Sequence, residues 1–242
     1  MQIQKINDWW MSTDTLMGST DTSHIGSRMI HNAYKIRNYF TAKGWTDSAI
    51  AGILGNAQLE STLNPAFIQA TNRWRLPNSA AALSDVPNSV MINYTDHYYG
   101  GSGYGVGVVQ WDGYTSTAPA GQKLVSFAER YGLNWYDGDT QTFRLFREYE
   151  TNIQWQPATI GGILWTWQLY VMNHQTPEVS ARIWQVCYEV ADPGTLATRQ
   201  ANARYWYDYF IAHPVEPPDP AILLILGQQN KRKVIKNVRF RN

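Results

Sequence analysis

Gly55-Asn56-Ala57-Gln58-Leu59-Glu60-Ser61-Thr62-Leu63-Asn64-Pro65 closes an apolar run that begins near Ile50. Ile50, Ile53, Leu54 and Ala57 recur at i, i+3, i+4 and i+7, so the spacing predicts an amphipathic helix over 46–61. Thr46 caps it, Asp47 stands in its first turn, and Asn64-Pro65 is expected to stop it. Glu60 continues the apolar stripe, which costs free energy unless the carboxyl is neutral or partnered. Partial burial and the negative end of the helix both favour the protonated form, as a general acid requires. A solvated helix end is the competing reading.

A second segment bears on the first. Gly100-Gly101-Ser102-Gly103-Tyr104-Gly105-Val106-Gly107-Val108-Val109-Gln110-Trp111-Asp112 packs glycines closely, then runs apolar into Gln-Trp-Asp. Glycine lets backbone turn sharply and approach a ligand, which predicts a hairpin. Gln110 offers both a donor and acceptors, suited to a sugar hydroxyl or acetamido group. No dinucleotide fingerprint and no phosphate-binding G-x-x-x-x-G-K-[ST] loop fits these glycines.

Together these segments resemble the phage tail lysozyme family. The resemblance rests on Gly44-Trp45-Thr46, on the Gly55–Pro65 and Gly105–Trp111 stretches, and on Thr176-Pro177-Glu178, Tyr188-Glu189 and Arg199-Gln200-Ala201-Asn202-Ala203-Arg204-Tyr205-Trp206-Tyr207. It covers roughly residues 30–212 in order. More distantly, Glu60-Ser61 and Gly105-x-Gly107-x-x-Gln110-x-Asp112 are similar to goose-type lysozymes and lytic transglycosylases. The resemblance implies a mainly α (α+β) lysozyme-like helical domain with a small β-hairpin bordering the cleft. It also implies a peptidoglycan-degrading muramidase of the virion tail, acting on the β-1,4 bond between N-acetylmuramic acid and N-acetylglucosamine. Glu60 is the expected acid, with Asp112 as the second carboxylate; a plain turn residue before Gly113 is the other reading of Asp112. Gln110, Tyr104, Gly105 and Ser61 are the expected substrate contacts. Val190 stands where a basic residue commonly follows the Tyr-Glu pair, so no role is assigned to Glu189. Two rival functions share the fold: a lytic transglycosylase with the same acid, and a catalytically idle structural tail protein.

Composition is compatible. The 242 residues are 44% hydrophobic and 16% charged, as in a globular protein. Eleven Trp and fifteen Tyr suit sugar-ring stacking, although most are expected in the core, including Trp165, Trp167 and Trp184. The single cysteine, Cys187, excludes an intramolecular disulfide and a cysteine-rich zinc site. No serine nucleophile elbow or H-E-x-x-H occurs, and no metal or cofactor is expected. The N-terminus lacks the apolar core of a secretion signal, and the longest C-terminal apolar run, Ala221 to Leu226, is too short to span a bilayer.

Along the chain, residues 1–22 read as an arm that packs on the body or on a neighbour, and 23–213 as the catalytic domain with an insertion at about 66–102. Helices are expected at 24–43, around 124–131, around 145–149, from Thr176, and at 195–212. The stretch 159–172 is apolar on nearly all sides and reads as the central core helix. Residues 214–242 read as a proline-rich linker and a docking tail with two short strands. The last twelve residues hold six basic side chains and no acid, leaving a formal charge of −5 on the rest. A mildly acidic body makes nucleic acid an unsuitable substrate. Contacts with other phage tail proteins are expected through the basic tail and the N-terminal arm, and peptidoglycan glycan strands are the expected substrate.

Overall fold

A computed structural model of the chain describes residues 3–68, 83–91, 105–112 and 124–214. The fold is mainly helical, with three small two-stranded antiparallel hairpins among the described residues, the α+β lysozyme-like class expected from the sequence. The helices are α1 (Ser27–Thr41), α2 (Asp47–Ser61), α3 (Leu124–Arg130), α4 (Gly138–Thr151), α5 (Trp167–Val171), α6 (Pro177–Trp184) and α7 (Leu196–Ala212). The hairpins are β1–β2 (Gln4–Ile6, Trp9–Met11), β3–β4 (Gly105–Val106, Trp111–Asp112) and β5–β6 (Ala158–Ile160, Ile163–Trp165). The chain forms one compact unit up to Tyr209. A second begins at Phe210, and its described part finishes α7 and ends at Pro214.

The two central expectations exchange places. α2 is not amphipathic: every residue from Ser48 to Gln58 is buried, and Asp47 at its start and Leu59 and Glu60 near its end are partly exposed. It is the central helix. Its glycines allow that, because a Cβ at Gly52 would stand 2.6 Å from the Tyr170 hydroxyl and 2.8 Å from the α6 backbone at Ser180. The stretch 159–172 is not a core helix. Gly161 and Gly162 take left-handed φ values of 62° and 79°, and so close the tight β5–β6 turn before the short helix α5. Leu164 and Leu169 are consequently exposed, while Trp165 and Trp167 point inward.

Thr46 caps α2 as expected, its hydroxyl accepting from the Ala49 N–H at 3.2 Å. The stop lies earlier than Asn64-Pro65: Thr62 and Leu63 both turn left-handed, at φ 53° and 60°. Asn64 instead ties down the N-terminal arm, accepting from the Ser12 N–H and donating to the Ser12 and Thr15 carbonyls. The arm therefore packs on the body. Trp9 is buried directly over Gly138 at the start of α4, and its indole N–H donates to Asp139.

Thr176 and Pro177 start α6 as expected, and Glu178 forms a two-pronged ion pair with Arg204 of α7. Trp155, Trp167, Tyr170, Trp184 and Tyr188 form a continuous aromatic core, with Trp184 and Tyr188 stacked at 4.1 Å. Cys187 is buried there, and burial pushes its thiol up to about 11, consistent with an inert core thiol. Of the 66–102 segment, residues 83–91 pack beside the loop before α4, where the Trp135 indole donates to the Val86 carbonyl. Trp74, Tyr94, Tyr98 and Tyr99 lie outside the described residues, as do the strands expected beyond Pro214.

Candidate active site

The last turn of α2 carries Glu60 to the edge of the core, with its side chain 24% exposed. A buried carboxyl must be neutral or partnered, and the structure supplies a partner: the Nη2 of Arg199, on α7, donates to Glu60 Oε1. Arg199 is itself buried and held on two further sides. Its Nη1 donates to Asn56 Oδ1 at 2.9 Å and its Nε to the Thr195 hydroxyl at 3.0 Å. Asn56, one turn before Glu60, donates to the Gly52 and Ala181 carbonyls, fixing the amide whose oxygen faces Arg199. Glu60 is thus aimed by a buried network reaching α6 and α7.

A second carboxylate follows α6. The helical path widens after Trp184 into a π-turn over Gln185–Glu189, closed by Val190 in the left-handed conformation. Glu189, half-buried, accepts from the Trp184 indole N–H at 2.9 Å. Desolvation first, and then the charge of Glu60, push its carboxyl up to about 8, with the Trp184 hydrogen bond and Arg199 acting the other way. Glu148 of α4 lies close enough for its charge to add to the upward shift.

Glu148 is fully partnered. It accepts from Arg144 Nη2 at 2.8 Å, from the Tyr188 hydroxyl at 2.7 Å, and from the Trp111 indole N–H shared between its two oxygens. Trp111 is therefore buried beneath the hairpin, and Glu148 anchors it there.

The β3–β4 hairpin docks on the end of α2. Ser61 is buried, and its hydroxyl donates to the Val108 carbonyl at 2.7 Å, fastening the hairpin to the residue next to Glu60. Gln110 donates its amide to the Gly107 carbonyl at 2.9 Å and to that of Phe67 at 3.3 Å. Gly105 pairs across the hairpin with Asp112 and has no room for a side chain, since a Cβ would meet Gln110 Oε1 at 2.7 Å. Only the backbone of Asp112 is described, and Tyr104 lies outside the described residues. Gln141 of α4 completes the frame: its Oε1 accepts from the Val108 N–H, and its amide donates to the Pro65 and Trp135 carbonyls.

The structure thus brings Glu60, Ser61, Gly105 and Gln110 to one edge and adds Arg199, Glu189, Glu148 and Gln141. Sequence reasoning missed these four. Arg199 and Glu189 stood in segments already singled out, but nothing in a single sequence joins position 199 or 189 to position 60.

Morphogenesis protein 1 of Bacillus phage B103 is 29% identical over 179 residues, which cover 74% of this chain. The aligned region is only 39% of that relative's length. Among the described residues, no helix is long and apolar enough to cross a membrane. The family model described as phage tail lysozyme matches residues 31–210, so the chain belongs to that family and is a lysozyme-like protein of the virion tail.

Proposed function

We propose that this chain is a muramidase that hydrolyses the β-1,4 bond between N-acetylmuramic acid and N-acetylglucosamine, opening the bacterial wall during phage entry. The observation that supports this most is Glu60: a carboxyl at the end of a buried helix, aimed by Arg199 and flanked by a hairpin locked to Ser61. Glu60 protonates the leaving glycosidic oxygen. Asp112, which β4 pairs with Gly105, holds the attacking water on the opposite face of the sugar. Gly105, Tyr104 and the free face of Gln110 meet the acetamido and hydroxyl groups. Ser61 acts through the hairpin that it holds.

Product analysis tests the reading. The purified protein on isolated peptidoglycan is expected to release reducing N-acetylmuramic acid ends. Products ending in 1,6-anhydromuramic acid instead would identify a lytic transglycosylase, and no release at all would identify a structural tail component.

The B103 relative is named for morphogenesis and extends well beyond the matched region, which fits a role within a larger assembly. Residues 214–242 are the proposed docking segment for another tail protein, with six basic charges attracting an acidic surface. A protein ending at His213 should retain full muramidase activity yet fail to enter the virion. Normal assembly of that shortened protein would remove the tail from the docking role.

A further inference from the structure

We propose that the cavity between α3 and the second half of α4 is a carboxylate site, holding the peptide borne by a muramyl residue of the glycan strand. This rests on the muramidase reading above.

The cavity measures about 120 Å³, and Arg130, Arg144, Arg147 and Glu148 all line it. Arg130 ends α3 and is exposed at the surface, while Arg144 and Arg147 stand one turn apart on α4. Glu148, the acid in the wall, is already engaged by Arg144, Tyr188 and Trp111. Outside the wall, Glu150 takes Nη1 of Arg147, and the rest of that guanidinium fork remains available. Three guanidiniums therefore surround one engaged carboxylate, on a body whose net charge is negative. Such a cluster is local and built, not part of a general basic surface.

Arg144 gives the cavity its fixed element. It is 4% exposed, and Glu148 holds its Nη2 at 2.8 Å. Its guanidinium carbon lies 5.6 Å from the ring centres of both Trp111 and Phe127, so two aromatic rings restrain it. Its Nε has no hydrogen-bond partner among the described residues. A buried charged donor without an acceptor is costly, and an anionic oxygen brought beside Arg144 offsets that cost.

The other walls select among anions. Phe127, Tyr131 and Ile153 line the same cavity, and Tyr131 and Ile153 are 46% and 41% exposed. An apolar surface beside a guanidinium cluster suits an anion carried on short hydrocarbon, as in a peptide carboxylate. The nearby Glu148 charge disfavours a second negative charge on the ligand, and so a phosphate dianion.

The same helix leads from the cavity to the hairpin. Gln141 accepts from the Val108 N–H, and two turns on Glu148 accepts from the Trp111 indole. The hairpin is fastened in turn to Ser61, beside Glu60. In peptidoglycan the lactyl ether of each muramyl residue bears a short peptide with free carboxyl groups. A strand seated against the hairpin thus presents those carboxyls to α4.

The test uses the full chain as wild type and as the double variant Arg130→Gln, Arg147→Gln, which spares the buried Arg144–Glu148 pair. Both altered side chains reach solvent, so the melting temperature should not change. On intact peptidoglycan the variant should show KM raised about tenfold, with kcat within about twofold. On the same strands stripped of peptide by an amidase, the two proteins should coincide. Equal losses on both substrates, or no loss on either, overturn the proposal.

A titration of ¹⁵N-arginine-labelled wild type decides the point even if the variant misfolds. A muramyl dipeptide with a free carboxyl should saturably shift arginine side-chain signals, and its carboxamide analogue should not. Shifts from neither compound, or equal shifts from both, overturn the proposal. So does inorganic phosphate that displaces the dipeptide at lower concentration than the dipeptide itself requires, since the cavity is then a phosphate site. If wild type cleaves neither form of the strand, the muramidase reading fails, and the titration still decides whether the cavity takes a carboxylate.

Discussion

Glu60→Gln should leave a folded protein that no longer cleaves peptidoglycan. The amide keeps the length of the side chain and an oxygen for Arg199 Nη2, so the contact that aims the residue survives as a hydrogen bond. Removing one partner of a fully buried ion pair costs ~3–5 kcal/mol, because the other charge is stranded. Here the cost is smaller: the side chain is 24% exposed, Gln still accepts, and Arg199 keeps Asn56 and Thr195. The chemistry has no such reserve. An amide cannot protonate the glycosidic oxygen, and loss of a general acid lowers the rate by at least ~10²-fold. Reducing-end release measured beside a melting curve separates the two effects. Activity within a few fold of wild type, in a protein with an unchanged melting temperature, would remove Glu60 from the reaction. Asp112→Asn should be milder, since a neutral side chain can still hold water by hydrogen bonds.

The family and the helix that carries Glu60 could be read from the sequence because their signals are local. Thr46, Asp47 and the spacing of Ile50, Ile53, Leu54 and Ala57 fix a helix within one stretch, and Gly105 to Trp111 fix a hairpin within another. How deeply a helix is buried is not local. The small and polar positions Gly52, Gly55, Asn56 and Gln58 interrupt the apolar spacing, and they are where α6 and α7 pack against the helix. Gly52 and Gly55 were the legible trace of that approach. Conversely, Gly161-Gly162 carried a two-residue turn signal inside an apolar run, and the run's length concealed it.

The site itself divides along the same line. Glu60 was visible because it sat on an otherwise apolar stripe next to a recognisable hairpin. Arg199 was not, because its contact with Glu60 spans 139 positions of sequence and depends on how α7 crosses α2. The sequence assigns no role to Glu189, because Val190 stands where a basic residue commonly follows. The structure gives Val190 a backbone role instead, as the left-handed residue that closes the π-turn.

The dependence of Glu60 on α7 makes Gly55 a sensitive position far from any substrate contact. Gly55→Ala should both destabilise the protein and reduce its activity. A Cβ built at Gly55 stands 2.5 Å from the Arg199 carbonyl oxygen and 2.7 Å from the backbone nitrogen and Cβ of Ala203. Those contacts are mostly with backbone, so no side-chain rotation relieves them, and α7 must move. In an open helix the same substitution would gain ~1 kcal/mol from helix propensity. Overpacking a tight interface costs ~1–3 kcal/mol, and a clash with a backbone carbonyl lies at the upper end, so the penalty wins. For a domain of this size each kcal/mol corresponds to about 2–4 °C in melting temperature. The displaced segment carries Arg199, whose guanidinium bridges Asn56 and Glu60. A shift of a few tenths of an ångström there loosens the aim of the acid, so kcat should fall below the melting transition as well as at it. Gly44→Ala is the informative contrast: nothing lies within 4 Å of a Cβ at Gly44, and its φ of +82° carries the conformational penalty without touching α7. Loss of stability without loss of kcat is therefore expected at Gly44, and loss of both at Gly55. If both variants lower stability but leave kcat intact, the packing of α7 on α2 does not control how Glu60 is held.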